Sequence, residues 1–269
     1  MKKAILVILI IVLLGVFGYS AYLLGGYYLE KYRNDESVED AAQYVHVREA
    51  PDIKTGHAGK TPGEDPGEDP GEDPGEDPGE EPGPAIEGID VDFDALWKIN
   101  KDIVAWIYSP GTKINYPVVQ ADDNDYYLRR LINGRHNSGG SLFLDYRCAG
   151  DFTGVNSIIY GHYMRSGAMF GSLKHYRTQS YYSKHPVLYL ATPTGQYRVV
   201  LFAGCLINAF DDIYDPYPSE EHIQEMMAHS TFVPKGDIPT DGPILTLSTC
   251  AYDFDNARYV LMGRLVPMD

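Results

Sequence analysis

The sequence predicts a mainly β domain with peripheral helices, closed or nearly closed into a barrel. Three observations carry that expectation. Short apolar, β-prone runs recur through the last two thirds of the chain, separated by turn residues. The helical stretches between them are few and short, which argues against a doubly wound sheet. Two compositionally separate segments precede these runs. They leave residues 86–269 as one unit of ordinary domain size, large enough to bury a core without staples.

The first separate segment is the N-terminus. Lys2 and Lys3 precede an apolar stretch over 4–24 that contains no charge. A bilayer crossing needs about 20 such residues. Basic residues before the stretch and acidic ones after it predict a cytoplasmic N-terminus and an external remainder. A cleaved signal peptide is the competing reading, but its apolar part is usually shorter, about 7–15 residues. Residues 1–29 are therefore read as a cytoplasmic tip and transmembrane anchor, with Tyr27 and Tyr28 suited to the interface.

The second segment, 30–85, is read as an extracellular tether. From Pro62 to Glu81 it repeats Pro-Gly-Glu-Asp with a period of four and ends in Pro-Gly-Glu-Glu. Proline lacks a donor, glycine adds chain entropy and the carboxylates repel one another, so the segment is predicted to be disordered. It lacks the three-residue glycine period of collagen. A stiffened spacer is the plain reading; weak, non-specific calcium binding is the alternative.

In the globular part, 92–102 reads as a helix with Phe93, Leu96, Trp97 and Ile99 near one face. Strands follow over 104–108 and 115–120, joined by a Pro110-Gly111 turn. A short helix is expected over 125–132, capped by Asp123 or Asn124. Further strands are expected over 141–145, 157–161, 187–191 and 196–207. Residues 218–230 form the one clear longer helix, with an incomplete capping box at Ser219. The last strands are 244–249 and 259–266.

The formal net charge is -16, and ten acidic residues of the repeat, between Glu64 and Glu81, supply much of it. No basic footprint for nucleic acid is present. Three cysteines, Cys148, Cys205 and Cys250, exclude complete internal pairing. Their spacing fits no zinc pattern, and neither a metal nor another cofactor is implied. Cys148 and Cys205 read as small buried hydrophobes.

Cys250 is different. It ends the run Ile244-Leu245-Thr246-Leu247-Ser248-Thr249-Cys250, where a strand emerges from the core. A thiol there is rigidly held yet accessible. Arg258 opens the next strand, and a hairpin between the two would bring its fixed charge to the thiol. An ion pair of Arg258 with Asp253 or Asp255 fits the spacing equally well. Of eight histidines, His162 alone shares the strand-end context of Cys250, after Ile158-Ile159-Tyr160-Gly161. A Cys–His pair is a known route to an activated nucleophile.

These residues lie within a longer set of blocks in which the chain resembles class B sortases, the cysteine transpeptidases of Gram-positive bacteria. The resemblance covers about 96–265. It is carried by Ile99-Asn100-Lys101-Asp102-Ile103-Val104-Ala105-Trp106-Ile107, Ile114-Asn115-Tyr116-Pro117-Val118-Val119-Gln120 and Gly140-Ser141-Leu142-Phe143-Leu144-Asp145-Tyr146-Arg147. It continues through Ser157-Ile158-Ile159-Tyr160-Gly161-His162 and Met169-Phe170-Gly171-Ser172-Leu173, then Thr246-Leu247-Ser248-Thr249-Cys250 and Ala257-Arg258-Tyr259-Val260.

The resemblance implies a barrel of about eight strands, with N-terminal helices and a longer helix before the Cys strand. It implies Cys250 as nucleophile, His162 as acid and base, and Arg258 on the substrate carbonyl, with Asn124, Leu128 and Ser248 lining the peptide groove. Read without it, those last three are a helix cap, a core leucine and a strand-end hydroxyl. Implied partners are surface proteins with a C-terminal sorting motif cleaved after threonine, an amine of a peptidoglycan precursor or of a pilin as acceptor, and the bilayer. A pilin-joining enzyme, a cysteine protease and a catalytically silent surface-binding module are the alternatives. The long acidic linker departs from the family pattern.

Overall fold

The computed structural model describes residues 2–49 and 86–268. The Pro-Gly-Glu-Asp repeat lies outside the described residues. The chain begins with a 41-residue helix, α1 (Lys2–Ala42), followed by strand β1 (Val45–Glu49). After the repeat come β2 (Ile86–Val91), helix α2 (Phe93–Ile99), β3 (Ile103–Tyr108), β4 (Asn115–Val119), β5 (Leu142–Leu144) and β6 (Asn156–Tyr160). Helix α3 (Gln179–Lys184), β7 (Val187–Thr192), β8 (Gly195–Asn208), α4 (Glu220–Ala228), β9 (Ile244–Cys250) and β10 (Ala257–Pro267) complete it.

Eight strands close into a barrel in the order β10-β8-β7-β3-β4-β5-β6-β9. Two pairs, β4 with β5 and β6 with β9, are parallel, and the others are antiparallel. Strand alternation sorts the side chains between two compartments. In β3, Ala105 and Ile107 enter the barrel core with Val118, Leu190 and Leu247, whereas Trp106 packs outside with Leu96 of α2, Ile89 of β2 and Ala41 of α1. Helix α2 starts at Asp92, whose carboxylate accepts from the Ala95 amide at 2.9 Å. Helix α4 is capped by Ser219, which accepts from the His222 amide, and it buries Ile223 and Met226 against Phe202, Cys205 and Val260 of the sheet.

The expected strands all form, within one or two residues of their anticipated ends. The expected helix over 125–132 contracts to a single 3-10 turn, Tyr127–Arg129. The expected cap does not form: the N-cap position is Tyr126, with no side-chain cap, and Asp123 instead accepts from the amides of Asp125 and Tyr126 ahead of the turn. A 3-10 segment, Gly171–Arg177, and α3 had no counterpart in the sequence reading.

The boundary between tether and domain moves. The tether expected over 30–85 does not begin at residue 30: α1 continues to Ala42 and β1 pairs antiparallel with β2. An exposed Arg48–Asp90 ion pair at 3.2 Å spans the two strands, and Gln196 of β8 accepts from the Ile89 amide, which ties β2 to the barrel. The polar end of α1 also binds the loop before β5. Asn34 donates to Gly140 O at 3.1 Å, Glu30 O accepts from Asn137, and the Glu30 carboxylate accepts from Ser138. The folded unit therefore begins within α1, because the polar end of that helix and β1 find partners on the barrel. The N-terminal part of α1 behaves differently: Leu13, Phe17 and Tyr22 are exposed, and the helix is long and apolar enough to cross a bilayer.

Candidate active site

Strands β6 and β9 lie side by side and run parallel, with Tyr160 opposite Ser248. Cys250 ends β9 two residues past Ser248, and His162 follows two residues past Tyr160, just beyond the end of β6, so the parallel register brings both to the same barrel end. The Gly161 amide donates to Ser248 O at 3.0 Å and carries this register one residue past Tyr160. On the other side of β9, Arg258 of β10 is the direct register partner of Cys250. Three residues distant in sequence are thus brought to one place by strand pairing.

A cavity of about 390 Å³ opens there. All six candidate residues line it: Cys250, His162, Arg258, Asn124, Leu128 and Ser248. Cys250 is half-buried, whereas Cys148 and Cys205 are buried in the core. Burial raises the pKa of the Cys148 thiol and pushes that of Cys205 to about 12. Their sulfurs donate to Asn156 O and Met226 O.

Gly161 explains how His162 is presented. A Cβ there would sit 2.6 Å from Phe170 Cδ2 and closer still to Leu142 Cδ2, so only glycine lets the chain leave β6 at this point. The His162 ring is oriented by a hydrogen bond between Nε2 and Leu128 O at 2.7 Å. A carbonyl can only accept, so Nε2 carries the proton and Nδ1 is the basic nitrogen of the neutral ring. The Leu128 carbonyl is itself backed by Gly140 at φ +59°, where a Cβ would lie 2.6 Å from that oxygen. Leu128 is 36 % exposed, so it is not a core leucine.

Arg258 does not pair with Asp253. That carboxylate is gripped by both terminal nitrogens of Arg177 at 2.8–2.9 Å. The Arg258 Nη1 donates instead to Ala257 O at 2.9 Å.

Asn124 is no helix cap. Its Nδ2 donates to Asp145 Oδ2 and its Oδ1 accepts from the Tyr146 amide, each at 3.1 Å. Ser248 Oγ and the Tyr214 hydroxyl share a 2.7 Å hydrogen bond.

The cavity also has walls that sequence reasoning missed: Tyr160, Tyr214 and Arg147. Tyr160 stacks on Tyr214 with ring centres 6.0 Å apart. Burial pushes the Tyr214 phenol up to about 12, so at neutral pH it is a hydrogen-bonding group and not an anion. Tyr160 and Arg147 stood inside the runs that carry the resemblance, but nothing in their spacing marked them as lining residues. Among the described residues that line the cavity, two are arginines and none is acidic, although the whole chain carries a net charge of -16.

The family model for the sortase domain matches residues 107–266. Sortase B of Listeria monocytogenes is 29 % identical over 269 residues, covering 96 % of this chain and 95 % of that protein. Sortase B of Staphylococcus aureus is 32 % identical over 187 residues, 67 % of this chain and 77 % of that one. A solved Staphylococcus aureus sortase B–substrate complex superimposes with a TM-score of 0.61 at 30 % identity, over 66 % of this chain and 85 % of that chain.

Proposed function

The chain belongs to the sortase family, with class B relatives, and from that premise we propose that Cys250, His162 and Arg258 form its transpeptidation centre, on a domain anchored in the membrane by α1. The single observation that carries this reading is the convergence of thiol, imidazole and guanidinium on one open cavity through the β6–β9–β10 register.

The chemistry follows from the geometry. The Cys250 thiol yields its proton to Nδ1 of His162, and the sulfur attacks the carbonyl of a threonine in a sorting motif. Negative charge develops on the carbonyl oxygen. The amide after the nucleophile, Ala251 N–H, already donates to Ala257 O at 2.9 Å, so the oxygen draws its donors from Arg258. His162 returns the proton to the leaving amine as the C–N bond breaks, leaving a thioester. An acceptor amine then attacks the thioester: a new C–N bond forms, the C–S bond breaks, and the thiol regains a proton. The acceptor in this reading is an amino group of the cell wall. Asn124, Leu128 and Ser248 line the groove that holds the sorting peptide, a class of ligand consistent with the substrate complex of the staphylococcal relative.

The apolar part of α1 suits a single-pass anchor. At 1.5 Å per residue its 41 residues span about 60 Å, twice a hydrocarbon core of about 30 Å. Its second half is therefore free to meet the barrel outside the bilayer.

The test is direct. The full chain in detergent is incubated with a small library of threonine-containing sorting peptides, and its intact mass is read with and without an added amine. A thioester adduct that Cys250→Ala abolishes, and that the amine converts to a ligated peptide, is the expected result. Adducts that yield only hydrolysed peptide would mark a protease, and no adduct at all would overturn the reading.

A further inference from the structure

Beneath the cavity wall lies a carboxylate that no step above uses. Asp145 follows β5, is 0 % exposed, and accepts five hydrogen bonds. Arg147 gives three of them: its amide and Nε to Oδ1, each at 2.9 Å, and Nη2 to Oδ2 at 2.8 Å. Tyr160 Oη donates to Oδ2 at 2.9 Å and Asn124 Nδ2 at 3.1 Å. Arg147 Nη2 also donates to Tyr214 O at 2.8 Å.

A buried charge held only by three cavity-lining residues is costly unless every partner stays in place. The carboxylate also dictates polarity. Because it can only accept, it fixes the Asn124 amide with its NH₂ inward and directs the Tyr160 proton away from the cavity. That leaves the second Nδ2 hydrogen of Asn124 and the Nη1 group of Arg147 without a hydrogen-bond partner among the described residues, on two side chains that line the cavity. These are donors, suited to carbonyl and other acceptor oxygens of an extended peptide.

We propose that Asp145 is a positioning residue for the sorting peptide, acting through Asn124, Arg147 and Tyr160 to hold a donor-lined wall. This rests on the cavity being the peptide groove. Asp145 touches neither the thiol nor the reacting carbonyl, so its loss is read in binding and not in chemistry.

The experiment compares the full-length wild type with Asp145→Asn in detergent, using whichever library peptide gives most acyl-enzyme with the wild type. Asparagine keeps the size but turns an NH₂ toward Arg147, which releases the guanidinium. The expected result is a KM raised about tenfold, the scale of one charge-assisted hydrogen bond. The kcat should stay within about twofold, as should the rate of Cys250 alkylation by iodoacetamide. An unchanged KM, or a fall in kcat and alkylation rate alone, overturns the proposal.

Should Asp145→Asn unfold, exposing Cys148 and Cys205 to alkylation, Tyr160→Phe removes one partner only. It should still raise KM about threefold; no change there overturns the proposal equally. If the wild type forms no acyl-enzyme, the transpeptidase reading itself fails. If it does and both variants match it, only the role of Asp145 fails.

Discussion

Cys250 reaches a cavity while Cys148 and Cys205 are 8 % and 2 % exposed, and this difference is measurable. Iodoacetamide should add once to the native protein, at Cys250, and three times in denaturant, as read by peptide mass. Arg258 is the residue whose loss should be felt most at the carbonyl oxygen. Arg258→Ala is expected to lower kcat by about 10²–10³, the usual scale for one oxyanion donor, with Arg258→Lys recovering part of it. Asp145 gives the pH dependence. Burial raises its pKa, but hydrogen bonds from Arg147, Tyr160 and Asn124 outweigh this and hold it below the ordinary carboxylate value. Its contribution to stability is therefore complete above the free-aspartate value of about 4 and disappears as the pH falls through the lower folded value. Thermal melts of Asp145→Asn should show a shallower loss of stability on acidification than wild type. At this scale the sequence was informative wherever a residue stood at a strand end. Cys250, His162 and Arg258 share that context, whereas Tyr214 stands in the 3-10 turn Asp212–Tyr214, in a connection with no pattern to point toward the cavity.

Elements were legible in proportion to their periodicity. The alternating or apolar runs of β3, β8, β9 and β10 announce themselves. The stretch holding the Gly171–Arg177 turn and α3 does not, because apart from Leu173 its large buried side chains are Tyr176, Tyr181 and Tyr182, set in a polar, basic sequence. Strands β1 and β2 were missed for another reason: they are short, and their partners lie on opposite sides of the repeat. The last turns of α1 also carry an unexpected connection. Asn34 binds Gly140, Gly140 backs the Leu128 carbonyl, and that carbonyl orients His162. A chain cut to begin at Ile86 loses both Asn34 and β1. It should retain Cys250 alkylation but show a kcat reduced severalfold against the full chain, measured with the same peptide.

Across the whole molecule, the barrel and its closure were legible because each of its eight strands carries its own signal. How the segments before it join was not, because the sequence suggests a linear order of anchor, spacer and domain. The β1–β2 sheet breaks that order. Glu49 and Ile86 are register partners, so both ends of the acidic insertion are fastened at one spot on the domain. Removing residues 62–81 from the full chain should leave acyl transfer to a membrane-bound acceptor within about twofold, since the entropy of closing such a loop changes by only about 0.6 kcal/mol per doubling of length. A steep loss would mean that the repeat sets reach. On the proposed anchoring, a tolerated deletion would mean that the height of the thiol above the lipid is set by α1 and its contacts to Asn137, Ser138 and Gly140, so that the number of repeats can drift without moving it.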